Sequence, residues 1–301
     1  MDHLRLTVWL ILVGVGAAFL VAVFLGPRLR ARFSPPPDTE TVTAAGDAAD
    51  DELSGGSAKD DRGLGSLVTP IITLTVLLLS FTLVQTWTSF RDAIDRVGRE
   101  ARTVDYLADA TGTLTDPQAT KLRGAAICYA RAVADEEWPA LSDWPDVAVP
   151  SVDRWTDELE TGLAALAASK TAANPFAREI ITADRERALF RGQRLAEVKA
   201  SIPIEITLFL LAATMLAIIG LGVVYLEDDA RVLQVGFLAV LSILFAGVLL
   251  IVTGLDTPYS GVIALEPTDI SRVAQRESAS FAEDLPGVPL PCDDQGRPIA
   301  G

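Results

Sequence analysis

The side chains able to do chemistry are few and scattered. The one histidine, His3, precedes the first apolar run and reads as an incidental terminal residue. Cys128 and Cys292 stand far apart in unrelated contexts, which predicts small buried side chains and neither a metal cluster nor a disulfide framework. Gly14-Val15-Gly16-Ala17-Ala18-Phe19 lacks the third glycine of a phosphate-binding loop and lies inside an apolar stretch. Its Gly14, Ala18 and Ala22 follow small-xxx-small spacing instead, which suits close helix packing, and Ala213 and Ala217 offer the same later on. With no base, activated nucleophile or ligand set, the sequence implies no catalytic residue, no enzyme, no cofactor and no metal site.

A different kind of chemistry is spaced along 67–87. Thr75, Thr82, Thr86 and Ser89 share one helical stripe, and Leu74, Leu77, Leu78, Phe81 and Gln85 share the adjacent one. On one reading the hydroxyls bond back to their own helix carbonyls while the Leu/Phe stripe packs on neighbours. On the other, symmetry-related copies line a path with an apolar constriction near Leu78 and Phe81, which gates by dewetting. Leu74, Leu78, Phe81, Thr82 and Gln85 are the pore-lining candidates.

The elements that must position these residues are membrane spans. Four uncharged apolar runs, 6–26, 67–87, 206–226 and 232–255, each reach the ~20 residues that a helix needs to cross a bilayer. Inside lipid only helices or closed barrels satisfy their own backbone, and unbroken Leu, Ile, Val and Ala read as helices. Half of the 301 residues are apolar, yet the formal charge is −15, because the charge lies outside those runs. The acidic excess argues against nucleic acid as a partner. The expected fold is an all-α membrane protein of four transmembrane helices, with an all-helical cytoplasmic domain inserted between the second and third spans.

The chain divides into a first span with a basic flank (1–33), a disordered acidic linker (34–65), the second span (66–90), the helical domain (91–202), a hairpin of spans three and four (203–255) and a tail (256–301). The linker holds Pro35-Pro36-Pro37 and many acids, and too little apolar surface to order itself. The second helix continues as a rod from Leu67 to Asp109, with Arg91/Asp95 and Arg96/Glu100 as i,i+4 pairs and Thr111-Gly112 as its stop. Asp116-Pro117 caps the next helix, which Trp138-Pro139 should end. After a loop through Trp144-Pro145 and Pro150, Val152, Trp155, Leu159, Leu163 and Leu166 repeat at helical spacing. Asn174-Pro175 opens the last helix, running to Lys199, and the final ~15 residues of the tail should be loose.

Positive residues flank the middle domain at Arg91, Arg96, Arg99 and Arg102 and again at Arg185, Arg187, Arg191, Arg194 and Lys199. The positive-inside rule therefore sets the middle domain and both termini in the cytoplasm of a multi-pass cell-membrane protein, against the smaller opposing set Arg28, Arg30 and Arg32. The same arginines at the membrane faces can also meet anionic lipid.

Two short segments carry a resemblance. Tyr129-Ala-Arg-Ala-Val133 running into Glu137-Trp138-Pro139, and Leu255-Asp256-Thr257-Pro258-Tyr259-Ser260-Gly261 after the last span, resemble signatures of the bestrophin-like membrane proteins of bacteria and plants. Ser80-Phe81-Thr82, Arg99-Glu100-Ala101, and Arg191 and Arg194 ahead of Pro203 are similar to the same pattern, over about 67–269. The resemblance implies kinship with bestrophins, pentameric anion channels with four spans and a helical cytoplasmic domain, in which the second span lines the pore and carries an apolar neck. It implies a homo-oligomer in membrane lipid, passing chloride or other small ions, with Leu74, Leu78 and Phe81 as the neck. Glu137, Trp138, Pro139, Asp256, Pro258 and Gly261 are structural motif residues; Asp256 and Pro258 ahead of Gly261 have turn chemistry that bends the chain as it leaves lipid. The alternative is an interaction or scaffold protein, anchored by its spans, whose helical domain binds a cytoplasmic partner.

Overall fold

The computed structural model describes residues 2–33, 62–114, 116–143, 148–169, 174–198, 202–226, 231–261 and 263–299. The expected linker (34–61 of it), the Trp144-Pro145 loop, Lys199 and the connection 227–230 lie outside the described residues. Those described are helical, without strands beyond one isolated bridge between Cys292 and Pro298. The helices are α1 (Asp2–Phe33), α2 (Arg62–Gly112), α3 (Pro117–Ala132), a π turn (Val133–Glu137), α4 (Trp138–Asp143), α5 (Pro150–Ala168), α6 (Pro175–Ala196), α7 (Ile204–Tyr225), α8 (Arg231–Asp256) and α9 (Thr268–Asp284). By length and composition α1, α2, α7 and α8 can each cross a membrane.

The chain forms two compact units, and α2 contributes to both. One comprises Arg5–Val84 and Ile202–Val252. Its core joins Ile11, Val15, Ala18 and Ala22 of α1 to Leu210, Leu211 and Ile218 of α7 and to Leu238, Phe245 and Leu249 of α8. The small-residue spacing is used as expected: a Cβ built on Gly222 would stand 2.5 Å from the Ala22 Cβ, and one on Gly26 would stand 2.8 Å from the Gly222 carbonyl oxygen. Glycine and alanine here let two backbones approach.

The other unit comprises Met1–Leu4, Gln85–Ser201 and Thr253–Gly301. Asp116 caps α3 by accepting from Gln118 N, and Asn174 caps α6 by accepting from Phe176 N, each with proline in the first turn. The expected face of α5 (Val152, Trp155, Leu159, Leu163 and Leu166) is buried, and Gly162 lets Leu122 of α3 come close. α3 packs on both α5 and α9.

Three expectations fail in this unit. Trp138-Pro139 does not end the helix: the chain widens into the π turn, where Trp138 N bonds Val133 O, and continues as α4. A π turn redistributes the bonds around a proline that has no N–H to give. The tail is not loose, because α9 buries Ile270, Ala274, Glu277 and Phe281 and residues 285–299 dock beyond it. Cys128 and Cys292 are buried as expected, but they form a disulfide with Cα atoms 5.8 Å apart. The fold brings together cysteines separated by 164 positions, which no sequence spacing encodes.

Candidate functional site

On α2 the hydroxyls and the apolar stripe part company. Thr75 Oγ1 donates to Ile71 O at 2.8 Å and lies 3.5 Å from Ala213 O, while Ser80 and Thr82 donate to Val76 O and Leu78 O. These are bonds to the helix's own carbonyls. Thr75 and Thr86 are buried. Leu74, Leu77, Phe81 and Val84 are exposed on the other side of the helix, Phe81 at 71%. Among the pore-lining candidates, Leu74, Phe81 and Gln85 are exposed, and Leu78 and Thr82 half-buried. Thr75 and Thr86 lie on the covered side, and the exposed side carries Leu74, Leu77, Phe81 and Val84 together with Ser80 and Gln85.

A second cluster lies in the helical unit and is built from the motif residues. Arg194 of α6 is fully buried; its Nε donates to Glu100 Oε2 at 2.7 Å, its Nη2 donates to Glu100 Oε1 at 3.2 Å, and a further short bond joins it to Glu137. Arg191, one turn earlier, donates from Nη2 to Glu137 Oε1 at 2.7 Å and reaches Asp153 at 3.0 Å. Tyr129 Oη donates to Glu100 Oε1 at 2.7 Å. The Arg187 guanidinium, bonded to Asp184 at 2.7 Å, lies over the Tyr129 ring with its carbon 4.6 Å from the centroid. Arg194 lies over Trp138 at 5.5 Å.

The positions follow from local structure. Residues 187, 191 and 194 recur at i, i+4 and i+7, so α6 turns all three the same way. The π turn adds a residue to the register and thereby aims Glu137 into the cluster beside Glu100 of α2. Burial raises the Glu137 carboxyl, but the guanidiniums of Arg194 and Arg191 outweigh it and hold the group below its usual range. Burial lowers Arg194, and the carboxylates of Glu100 and Glu137 more than restore it. The cluster is thus a set of compensated ions, with every carboxylate that enters it met by an arginine.

The two motifs meet at its rim. Trp138 stands edge-on to Tyr259, and its Nε1 donates to Leu265 O at 2.8 Å. The Tyr259 phenol, out of water, is pushed up to about 12. Between them the chain turns: Ser260 N bonds Thr257 O, Leu265 N bonds Pro258 O at 2.7 Å, and Gly261 has φ +94. The expected turn at Asp256, Pro258 and Gly261 therefore exists, with glycine where the backbone is left-handed. Asp256 is the last residue of α8. Pro139 follows Trp138 in the first turn of α4.

This geometry revises the reading of the arginines. Arg187 and Arg194 are buried among protein groups and cannot touch lipid. Glu100 pairs with Arg194 instead of Arg96, whose own partner is Glu197. Sequence reasoning also missed Asp184 and the whole of α9, where Arg123 of α3 reaches Asp284 and Ser280 at 2.7 and 2.8 Å. The signal was present as Ile270, Ala274, Glu277 and Phe281, an i, i+4, i+7, i+11 face in a polar segment. Among the described residues, no group of three or more His, Cys, Asp or Glu is placed to hold a metal ion.

Solved membrane proteins share this architecture. A bacterial bestrophin homologue from Klebsiella pneumoniae superposes with a TM-score of 0.64 at 10% identity, over 93% of this chain and 99% of that one. A single-substitution variant of that homologue gives 0.63 at 11%, over 90% and 98%. A further structure, described only as a membrane protein, gives 0.60 at 12%, over 75% and 88%. At these identities the likeness is one of fold. No curated protein matches the sequence. The bestrophin-like domain family matches residues 42–270, most of the chain, and the chain belongs to that family.

Proposed function

We propose that this chain forms an oligomeric ion channel in the cell membrane, with α2 lining the pore and anions as the permeant species. The observation that carries the reading is the open, mostly apolar face of α2: Leu74, Leu77, Phe81 and Val84 stay exposed while Thr75 and Thr86 of the same helix are buried. One helix with such a face meets lipid, but several copies around an axis make an apolar constriction of the kind that gates by dewetting. Bestrophins are anion channels that use their second span in this way, so membership of the wider family supports the assignment. On this reading Leu74, Leu78 and Phe81 form the neck, Gln85 follows it, and the assembly is a pentamer in membrane lipid. We assign the helical unit and both termini to the cytoplasm, on the positive residues that flank the spans.

The cluster of Glu100, Glu137, Arg191 and Arg194 has a supporting part. It fixes the 85–112 part of α2, α6 and the π turn to one another.

Native mass spectrometry of the protein released from nanodiscs, followed by chloride flux from proteoliposomes, tests the proposal. A pentamer with flux above protein-free vesicles is expected. A monomer or dimer without flux overturns it and leaves a membrane-anchored helical domain that binds a partner.

A further inference from the structure

Residues 285–299 form a strap beyond α9 whose bonds are mostly to itself. Asp293 N bonds Arg297 O, Ile299 N bonds Pro291 O, and the Asp293 carboxylate accepts from Gln295 N and Arg297 N. Within the strap only Cys292 and Gly296 are buried; Leu285, Leu290, Asp293 and Pro298 are half-buried and the rest exposed. Such a segment buries little apolar surface of its own, and hydrophobic burial is what ordinarily holds a segment down.

Beyond Leu290 against the core and Pro291 beside Gly124, its hold on the domain is covalent and polar. Cys292 is bonded to Cys128 in the C-terminal half of α3. Trp155 Nε1 of α5 donates to Gly296 O at 2.6 Å, Arg131 donates to Asp293 O at 2.9 Å, and Arg297 pairs with Glu136. Gly296 has φ +77, and a Cβ there would stand 2.2 Å from Ala132 N, so the strap touches the backbone at the base of the π turn. Arg131, Ala132 and Glu136 frame the turn that aims Glu137.

We propose that Cys128–Cys292 is a redox-operated latch: reduction frees the strap from α3 and α5 and withdraws the outer support of the π turn. A dithiol reductant of the thioredoxin class supplies the two electrons. Its thiolate attacks Cys292 Sγ, the Sγ–Sγ bond breaks, and Cys128 departs as a thiolate that takes up a proton. The second thiol of the reductant then resolves the mixed disulfide, releasing Cys292 as a thiol and leaving the reductant oxidised. A disulfide-class oxidant runs the sequence backwards. Because the bond closes a separation of 164 residues, its loss removes a long-range constraint on the strap.

The test uses the full chain in nanodiscs, oxidised or treated with dithiothreitol under native conditions and then alkylated with N-ethylmaleimide. Intact mass counts the thiols, an Asp-specific protease reports cleavage at 293–294, and hydrogen exchange reports residues 133–137. We expect no alkylated thiol in the oxidised protein and two after native reduction, with cleavage at least about tenfold faster and faster exchange in the π turn. Cys292→Ser, which leaves α3 intact, should match the reduced protein without reductant. Thiols already free before reduction, thiols that react only after denaturation, or unchanged cleavage or exchange on reduction each overturn the latch.

Discussion

Trp138 and Tyr259 meet edge to face with ring centroids 5.5 Å apart, so two motifs distant in the chain close on one another. The contact is also asymmetric. The Trp138 indole N–H has an acceptor in Leu265 O, whereas the Tyr259 hydroxyl has no hydrogen-bond partner among the described residues. Trp138→Phe leaves a half-buried carbonyl short of its donor and shrinks the ring, and should cost about 1–3 kcal/mol. Tyr259→Phe removes a buried, unbonded hydroxyl and keeps the ring contact, so it should cost under ~1 kcal/mol. Urea unfolding in detergent compares them; equal costs would show that the hydrogen bond to Leu265 contributes nothing.

The buried ion cluster should be sensitive to the loss of one partner. Arg194→Met leaves Glu100 buried without an arginine, while Glu137 keeps Arg191, and should destabilise by about 3–5 kcal/mol. Arg272, 69% exposed in its pair with Asp269, provides the contrast. Arg272→Ala should change stability by less than ~0.5 kcal/mol, as exposed pairs do. Thermal unfolding of both variants reads the difference.

Glu137 also sets a pH dependence. Its folded-state carboxyl sits below the ordinary 4.5, so the ionised form is the one that folding favours. The stabilisation is complete above the unfolded value of about 4.5 and is lost as pH falls through the lower folded value. Stability measured downward from pH 6 should therefore decline below about pH 4.5, and Glu137→Gln should flatten that decline while lowering stability at neutral pH. A wild-type and variant pair with parallel acid limbs would remove Glu137 from the account.

What the sequence made legible was local. Asp116-Pro117 and Asn174-Pro175 announced helix starts, and the α5 face followed from its period. The long apolar runs, the small residues of α1 and the turn ending in Gly261 were equally readable. What stayed hidden depends on partners far along the chain. The i,i+4 rule offered Arg96 to Glu100, but the fold offers Arg194 from 94 residues away and buries the pair, a stronger setting than an exposed helix face. Trp138-Pro139 looked like a stop because a π turn has no sequence period. The cysteine pairing needed α9 and the strap to be placed first. The face of α2 was half legible: Thr75 and Thr86 are buried while Leu74, Leu77 and Phe81 are exposed, but which side the neighbours cover depended on Ala213 and the rest of α7.

The crossing of α1 and α7 makes a prediction about a single methyl group. Gly222→Ala places a Cβ 2.5 Å from the Ala22 Cβ and 2.9 Å from its Cα, so a helix must move. A cost of about 1–3 kcal/mol is expected, as for overpacking elsewhere. Gly236 of α8 has nothing within 4 Å, so Gly236→Ala should be neutral or stabilise by up to ~1 kcal/mol through helix propensity. The fraction of protein surviving heating in detergent ranks the two, and the reverse order would place the α1–α7 contact elsewhere.

Phe81 offers the most direct test of the channel reading. It is the most exposed of the apolar side chains on α2's open face, and its ring is far larger than the methyl of alanine. If copies of α2 surround an axis, Phe81→Ala widens the constriction and lowers the barrier to wetting it, so chloride flux should rise several-fold, with a smaller rise for Leu78→Ala, whose side chain is half-buried. Thr75→Val, on the buried side, should leave flux unchanged while altering stability, because Thr75 bonds Ile71 O within its own helix. Flux through all three variants is compared at equal protein per vesicle, with oligomer mass as the folding control. Unchanged flux in an intact Phe81→Ala assembly would assign the exposed stripe to lipid or to packing between copies, and the conduction path to another surface.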